Sequence, residues 1–293
     1  MEYKPKTEII EVNCDSALHK LKRKIPYSWD LNIYRGCQHG CKYCYAMYSH
    51  TYLNSDSFSD NIYVKKNIVE VLEKELRSGQ WNREIVNIGG VTDSYQPVEA
   101  DYKIMPEILR LFIKYKTPVI ISTKSDLVLR DFDLINELSL ITYVNIAATI
   151  TVGDEDIRKL LEPGAVKSSE RFNMLREFRK TNASVGLHAM PVIPYLTDSC
   201  ENMEYLCENA HEAGVHYMLP GVLYLRGKTR KIFFDFINNQ YPYLYEKLLN
   251  LYKTGGAGKE YKNEFYEMLN GLRNKYGLSG NYSSIMKQKM HRE

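Results

Sequence analysis

Two hydrophobic periods alternate along most of the chain, and together they predict strands and helices in turn. Short runs of consecutive or alternating apolar residues, such as PVIIST at 118–123, are typical of buried strands. Between these runs, apolar residues recur every three or four positions among charges, which indicates amphipathic helices. The pattern predicts strands at 31–34, 84–89, 118–123, 143–151, 184–192 and 215–219, and helices at 62–77, 106–116, 131–140, 168–181 and 201–214.

Six strands that alternate with helices favour a sheet of parallel strands joined by right-handed crossovers. A closed barrel and an open doubly wound sheet have the same rhythm, so the periodicity leaves both open. We expect residues 1–30 to form an N-terminal lead-in that covers one end of the barrel. Residues 31–225 then form the α/β domain, and the polar, aromatic segment 226–293 forms a helical C-terminal extension.

Composition narrows the class of protein but does not name a substrate. Hydrophobic residues make up 44% of the chain and charged residues 26%, which excludes wholesale disorder. A net charge of +3 is too small to indicate a dedicated nucleic-acid binder, although the runs HKLKRK and KQKMHR could touch phosphates. With neither a membrane-length apolar run nor a signal-peptide core, we expect a cytoplasmic protein with no membrane association, in which Cys14, Cys200 and Cys207 stay reduced.

The stretch YRGCQHGCKYCYAMY carries the most specific chemistry in the sequence. It places Cys37, Cys41 and Cys44 in the pattern CxxxCxxC. Three thiolates on one loop can bind three irons of an iron–sulfur cube and leave the fourth iron without a protein ligand. A structural zinc site needs four ligands, and either His39 or His50 could supply the fourth, so a Cys3His zinc site stays open as the alternative.

The cysteine pattern, with an aromatic residue before the third cysteine, resembles the signature of the radical S-adenosylmethionine (radical SAM) superfamily. The wider string NIYRGCQHGCKYCYA is similar to the subgroup related to spore photoproduct lyase. The resemblance implies a partial (β/α)6 TIM-type barrel with a C-terminal helical extension. It also implies a 4Fe-4S cluster whose open iron chelates the methionine part of S-adenosylmethionine. Reductive cleavage then yields a 5′-deoxyadenosyl radical, which takes hydrogen from the substrate.

The resemblance assigns further cofactor-binding residues near the predicted strand ends. In the run IGGVTDSYQP, Gly89 and Gly90 match the glycine-rich motif that holds the methionine amino group through backbone carbonyls. Thr92 and Asp93 are then cofactor or substrate contacts, although Asp93 is also placed to cap the turn. Lys124 follows the third strand, where the subgroup uses a lysine to bind the methionine carboxylate.

Four other residues complete the expected cofactor site. Thr149 falls where the family has a hydroxyl beside the carboxylate, and His188 either lines the adenosine site or fills a barrel layer. Tyr43 and Tyr45 match the aromatic neighbours of the third cysteine, and they either stack on adenine or pack between barrel and loop.

The segment LEPGAVKSSERF resembles another motif of the subgroup, in which Glu162 and Arg171 recur. Two roles stay open for these residues: an ion pair that fixes this loop to the barrel, or a direct part in the function.

The expected reaction differs from that of spore photoproduct lyase in one respect. That enzyme returns hydrogen from a cysteine near the end of the second barrel strand, whereas Val91 stands closest to that position here. We therefore expect Tyr45 or Tyr95 to quench the radical, or the radical to enter another reaction, and no efficient repair of the spore thymine dimer.

The expected partners are a flavodoxin or ferredoxin-type reductant and an unidentified substrate, for which nucleic acid is one candidate. Two other functions stay open on the residues alone. One is a non-catalytic zinc-binding nucleic-acid module that uses the same cysteines, and the other is a cluster protein that only transfers electrons.

Overall fold

The computed structural model describes residues 7–22, 27–52 and 57–290, so parts of the expected N-terminal lead-in and of both basic runs lie outside it. Strands and helices alternate through most of the chain. The strands are β1 (Glu8–Val12), β2 (Leu18–Lys20), β3 (Trp29–Leu31), β4 (Tyr34–Arg35), β5 (Asn61–Lys65), β6 (Val86–Ile88), β7 (Val119–Thr123), β8 (Val144–Thr149), β9 (Ser184–Val192) and β10 (Tyr217–Val222).

Helices follow most of the strands and then form the C-terminal part of the chain. They are α1 (Ile68–Arg77), α2 (Glu99–Tyr102), α3 (Ile104–Tyr115), α4 (Phe132–Ile141), α5 (Glu155–Leu161), α6 (Ser168–Phe178), α7 (Cys200–Glu212), α8 (Gly227–Gln240), α9 (Pro242–Leu251), α10 (Lys259–Lys275) and α11 (Tyr282–Met290). Two 3-10 segments, Tyr45–Tyr52 and Asp126–Asp131, lie between them.

A seven-stranded sheet forms the partial barrel, with the strand order β10-β9-β8-β7-β6-β3-β2. Within this sheet β3, β6, β7, β8, β9 and β10 pair in parallel, and β2 pairs antiparallel with β3 at the edge. The six parallel strands follow one another in chain order, as in a barrel, whereas a doubly wound sheet reverses direction at a switch point. The predicted partial barrel with a helical C-terminal extension is confirmed.

The barrel strands are buried because helices cover the sheet. All six residues of β8 are buried, and α1 turns Ile68, Leu72 and Leu76 toward the core at a spacing of four. A second apolar cluster joins the cysteine loop to the C-terminal helices through residues such as Tyr43 and Phe233. Among the described residues, no helix combines the length and apolar content that a membrane span requires.

The sequence-based boundaries are wrong at the first strand and the first helix. The predicted strand at 31–34 is divided, because β3 joins the barrel whereas β4 pairs with β5 in a separate three-stranded sheet. The predicted helix at 62–77 begins only at Ile68, because the residues before it pair with β1 as strand β5.

Two side chains at helix starts have surroundings that the local pattern does not show. Cys200 and Cys207 lie seven positions apart on α7, yet Cys200 is exposed and only Cys207 is buried. Asp131 precedes α4 without capping it, because its carboxylate accepts hydrogen bonds from Tyr95 and Arg130 instead.

Candidate functional site

A cavity of about 710 Å³ opens at the carboxyl ends of the barrel strands, where barrels carry their chemistry. The cysteine loop (36–44), which follows β4, forms one wall, and residues of β6 to β10 and of the segments after them form most of the others. Of the residues predicted from the sequence, it is lined by Cys37, Cys41, Tyr43, Cys44, Tyr45, Gly89, Gly90, Thr92, Asp93, Lys124, Thr149 and His188.

The start of the cysteine loop is fixed by backbone contacts that need a glycine. Gly36 has a φ of +83°, and a Cβ atom there would lie 2.5 Å from the carbonyl oxygen of Asn61. The Gly36 carbonyl accepts a hydrogen bond of 2.5 Å from the hydroxyl of Thr92. The backbone N–H of Cys37 donates to the carbonyl of Phe58 at 3.0 Å. The first cysteine is therefore placed by the small sheet and by the loop after β6.

His39 and Asp93 tie the middle of the loop to the barrel. The two ring nitrogens of His39 lie 2.9 Å from the carbonyl oxygen of Gly164 and 2.9 Å from Asp93 Oδ2. Asp93 also accepts bonds from the Thr123 hydroxyl at 2.9 Å and the Lys124 backbone N–H at 2.8 Å. Burial alone would raise the pKa of Asp93, but His39 and the backbone N–H groups of Lys124 and Tyr95 lower it to about 2. Asp93 thus positions the loop that carries the cysteines.

The same contacts bear on the zinc alternative. Because both ring nitrogens of His39 are engaged, this side chain is not free to act as a fourth ligand. The Nε2 atom of His50 lies 3.2 Å from the carbonyl oxygen of Asn61, and His50 does not line the cavity. Within the described part of the chain, no three His, Cys, Asp or Glu side chains converge on a position for a single metal ion.

Glu162 and Arg171 form a buried ion pair with an N–O distance of 2.7 Å. Glu162 also accepts a hydrogen bond from the Tyr43 hydroxyl, and Arg171 donates to the carbonyl oxygen of Thr149 at 2.6 Å. Burial alone would raise the pKa of Glu162, but Arg171 and Lys124 hold it at about 2. The contacts favour the first interpretation of this motif, an ion pair that joins the cysteine loop to the barrel.

The three cysteines fit an iron–sulfur cluster in the chemistry of their donors. All three are free thiols, and all three line the same cavity. Burial raises the pKa of each thiol, which for Cys41 reaches about 12. Bound iron stabilises the thiolate form outright, and three thiolates on one wall are a donor set that such clusters use.

The end of β6 presents bare backbone to the cavity. Gly89 has a φ of +82°, and a Cβ atom there would lie 2.8 Å from the carbonyl oxygen of Thr92. A Cβ atom at Gly90 would lie 2.7 Å from the carboxylate of Asp30. A side chain at Gly89 would therefore be strained, whereas one at Gly90 would require the Asp30 carboxylate to move. Both residues line the cavity, and without side chains they let a ligand approach the main chain closely. The Gly90 carbonyl also accepts a hydrogen bond from the Tyr45 hydroxyl.

Lys124, which directly follows β7, brings a positive charge to the cavity lining. Its ammonium lies 5.8 Å from the ring centroid of Tyr43 and has no hydrogen bond or ion pair with any other described residue. Burial alone would lower the pKa of Lys124, but the neighbouring acidic groups of Cys41 and Glu162 outweigh burial and raise it. The side chain is therefore a cation with hydrogen-bonding capacity left for a ligand.

The deep end of the cavity contains residues that the sequence analysis missed. The Asn87 side chain donates to Asp30 at 2.8 Å, and the Tyr217 hydroxyl donates to Asn145 Oδ1 at 3.1 Å. The ring of Tyr217 reaches the barrel interior only because Gly186 on β9 has no side chain. The sequence did contain a sign of these residues, namely asparagines within otherwise apolar strands. Burying a polar side chain costs free energy unless it forms a hydrogen bond, so such an asparagine indicates a binding partner or a ligand.

His188 lies between Lys124, near the cysteine loop, and Tyr217, at the deep end of the cavity. Its Nε2 atom lies 3.4 Å from the Tyr217 hydroxyl. Burial and the charge of Lys124 lower the pKa of His188 to about 4, so its imidazole is neutral near pH 7. Thr149 lies beside it, because Thr149 and His188 are partners in the register of β8 and β9.

The two tyrosines expected near the radical lie in different places. Tyr45 lines the cavity and is 60% exposed. Tyr95 has no exposed surface, does not line the cavity, and donates its phenol hydrogen to Asp131 at 3.0 Å. This placement speaks against Tyr95 as a radical quencher, because its hydroxyl is turned into the protein. Val91, at the expected donor position, does line the cavity.

Comparison with known proteins finds relatives that match most of the chain. An uncharacterized protein of Mycobacterium tuberculosis is 34% identical over 278 residues, which cover 93% of this chain and 82% of the relative. An uncharacterized protein of Methanocaldococcus jannaschii is 28% identical over 271 residues, which cover 92% of this chain and 95% of the relative.

Among solved structures, spore photoproduct lyase complexed with dinucleoside spore photoproduct has a similar fold. The TM-score is 0.67 at 13% identity, and the match covers 92% of this chain and 79% of that one. The family model described as the Radical SAM superfamily matches residues 31–206, which include the cysteine loop and the barrel up to α7. The chain therefore belongs to the radical SAM superfamily, and this membership implies a 4Fe-4S cluster and S-adenosylmethionine as its cofactors.

Proposed function

We propose that Cys37, Cys41 and Cys44 hold the cluster and that the cavity they line receives both S-adenosylmethionine and the substrate. The observation that carries this proposal is the convergence of three thiols, a cationic lysine and a bare strand end on one cavity. Bound there, the cofactors supply one-electron reductive cleavage of S-adenosylmethionine and removal of a hydrogen atom from the substrate. The protein supplies position and the exclusion of water.

Lys124 has the charge and position to bind the carboxylate of the methionine group. It acts as a point charge whose remaining hydrogen-bonding capacity faces the cavity. The main chain at Gly89 and Gly90 accepts close approach by the amino group, and the Thr149 hydroxyl lies on the same cavity wall. His188, neutral near pH 7, offers the adenosine part a hydrogen-bonding ring without a charge.

We expect the reacting group of the substrate to enter the deep end of the cavity, where the lining residues are uncharged. Asn87, Asn145 and Tyr217 line the deep end, and Lys124 and Asp93 are the charged residues among the described cavity lining. Nucleic acid remains one candidate, with its phosphates left outside the pocket. Since Val91 replaces a cysteine, we expect Tyr45 to quench the product radical or the radical to continue into another reaction, and we expect no efficient repair of the spore thymine dimer.

Metal analysis of anaerobically purified protein, followed by a cleavage assay, tests the proposal. We expect iron and sulfide at cluster stoichiometry and slow formation of 5′-deoxyadenosine from S-adenosylmethionine in reduced protein without substrate. Stoichiometric zinc without iron or sulfide would support the zinc module instead. Iron without any binding of S-adenosylmethionine would indicate a protein that only transfers electrons.

A further inference from the structure

Gln96 is a buried polar side chain to which the proposed function assigns no role. It belongs to the run IGGVTDSYQP after β6, its exposed fraction is 0%, and it does not line the cavity. Burying an amide costs free energy unless the protein replaces the hydrogen bonds that the amide makes with water. The partners of Gln96 therefore indicate what this side chain holds in place.

Both polar atoms of the Gln96 amide bind the main chain around Cys37. Its Oε1 atom accepts a hydrogen bond of 2.8 Å from the backbone N–H of Gln38. Its Nε2 atom donates to the carbonyl oxygen of Gly36 at 3.3 Å and to the hydroxyl of Thr92 at 3.1 Å. The Gly36 carbonyl and the Gln38 N–H belong to the two peptide groups that flank the Cα atom of Cys37. One side chain thus holds both of these peptide groups.

The backbone N–H and carbonyl of Cys37 are bonded as well. The N–H donates to the carbonyl oxygen of Phe58 at 3.0 Å, and the carbonyl oxygen accepts from the N–H of Gly40 at 3.3 Å. The backbone at one residue has only two soft torsion angles, which the orientations of its two flanking peptide groups define. Fixing both peptide groups therefore fixes the direction in which the Cys37 side chain leaves the main chain.

The other two cysteines of the loop are held differently. The N–H of Lys42, next to Cys41, donates to a main-chain carbonyl. The Cys44 carbonyl accepts from the Thr229 hydroxyl at 2.9 Å, so this side chain reaches one peptide group. Within the part of the chain that the structure describes, Cys37 is the loop cysteine with both flanking peptide groups bound by a single side chain.

We propose that Gln96 is a positioning residue that orients the Cys37 thiolate as a ligand of the cluster. The inference rests on the proposed function, in which Cys37 is one of the three ligands. Without the amide, the main chain at Cys37 can turn, and the cluster is then released more readily. Residues that hold metal ligands in place through hydrogen bonds typically contribute about 10- to 100-fold to metal affinity.

Replacing the amide by an apolar side chain of similar size tests this role. Gln96→Met leaves the N–H of Gln38 without its acceptor. The matched control is Asn67→Leu, because the Asn67 amide accepts from the N–H of Cys14 at 2.8 Å and donates to the carbonyl oxygen of Cys14 at 2.9 Å. The control thus removes an equivalent pair of hydrogen bonds from a cysteine that is not a proposed ligand.

Three quantities are measured on anaerobically reconstituted protein: the rate at which a chelator removes iron, the electron paramagnetic resonance spectrum of the reduced cluster, and the free energy of unfolding. We expect Gln96→Met to lose iron about tenfold faster than the wild type or more, and to change the spectrum. Asn67→Leu should change the rate less than about twofold and leave the spectrum unchanged. Both variants should lower the free energy of unfolding, since each leaves a backbone N–H unpaired.

Equal rates of iron loss in wild type and Gln96→Met would overturn the proposal. So would equally faster loss in both variants, because lower stability would then explain it. If Gln96→Met does not fold, Gln96→Glu carries the test. Its carboxylate keeps an acceptor for the Gln38 N–H but has no donor for the Gly36 carbonyl, so iron loss should again be faster than in the wild type, and an unchanged rate would reject the role.

Iron uptake by the wild type separates the two proposals. If the wild type takes up no iron, the proposed function fails and the role of Gln96 fails with it. If the wild type holds a cluster and Gln96→Met holds it equally firmly, only the role of Gln96 is rejected.

Discussion

The two ends of the cavity are built differently. At the cysteine loop the polar side chains satisfy one another, since His39 pairs with Asp93 and Glu162 pairs with Arg171. At the deep end, the Oδ1 atom of Asn87 and the Nδ2 atom of Asn145 have no hydrogen-bond partner among the described residues. The first arrangement suits a group that is held in the same place in every turnover. The second leaves hydrogen-bonding capacity for a molecule that enters and leaves.

The largest expected effect is the loss of the cluster when a cysteine of the loop is replaced. Cys37→Ala, Cys41→Ala and Cys44→Ala each remove one of the proposed ligands, and we expect each to abolish cluster assembly. The measurement is iron and sulfide content after anaerobic reconstitution. Cys14→Ala and Cys207→Ala are the controls and should retain iron; full iron content in Cys41→Ala would contradict the assignment of the loop.

The ion pair behind the loop should have the next largest effect. Glu162→Gln leaves the Arg171 guanidinium buried without a charge partner, which costs about 3–5 kcal/mol of unfolding free energy. Denaturant unfolding of the variant and wild type measures this difference. Lys180→Ala, which removes an exposed pair with Glu177, is the control and should change stability little.

The pH dependence of that difference follows from the pKa of Glu162. Because the folded-state pKa of about 2 lies below the ordinary glutamate value, the carboxylate stabilises the fold at pH values above that ordinary value. The stabilisation is lost as the pH falls toward 2, so the gap between wild type and variant should narrow there. A gap that does not change between neutral and acidic pH would argue against a charged Glu162.

Lys124→Ala should weaken S-adenosylmethionine binding by about 1.5–3 kcal/mol, because it removes the proposed charged hydrogen-bond partner of the methionine carboxylate. Equilibrium binding to cluster-containing protein measures the loss. Lys180→Ala again serves as a control of the same chemistry on the surface. Unchanged affinity in Lys124→Ala would remove this residue from the cofactor site.

Deleting one hydroxyl at each end of the cavity should have effects equal to that of Lys124→Ala or smaller. Tyr43→Phe removes a hydrogen bond to the charged Glu162 and should cost about 1.5–3 kcal/mol of unfolding free energy. Tyr217→Phe removes a hydrogen bond to a neutral amide and should cost about 0.5–1.5 kcal/mol. Unfolding measurements on both variants compare the two ends directly, and a larger loss at Tyr217 would refute the contrast drawn between them.

Some features of the fold were predictable because they depend on local pattern. The run PVIIST is continuous and β-branched, and β7 (Val119–Thr123) lies inside it. The strand predicted at 184–192 has the bounds of β9 (Ser184–Val192). The cysteine loop was recognisable because its spacing is rare and its chemistry is specific.

The errors occurred where pairing over long sequence distances decided the structure. Residues 62–65 are apolar enough to continue the helical period of α1, yet they form β5 because β1, about fifty residues earlier, pairs with them. The local pattern is the same for both outcomes, and hydrogen bonds to a distant strand select between them.

By itself, the sequence determined the spacing of Cys37, Cys41 and Cys44, the rhythm of six barrel strands and the glycine pair that ends β6, since each depends on residue type and spacing. Only the tertiary structure decided which polar side chains form their hydrogen bonds with other residues of the protein and which ones face the cavity. Asp93 and Tyr95 lie two positions apart, yet Asp93 lines the cavity and Tyr95 turns its hydroxyl toward Asp131. The physical reason is that a buried polar group must find a partner, and that partner is set by the packing of elements distant in the chain.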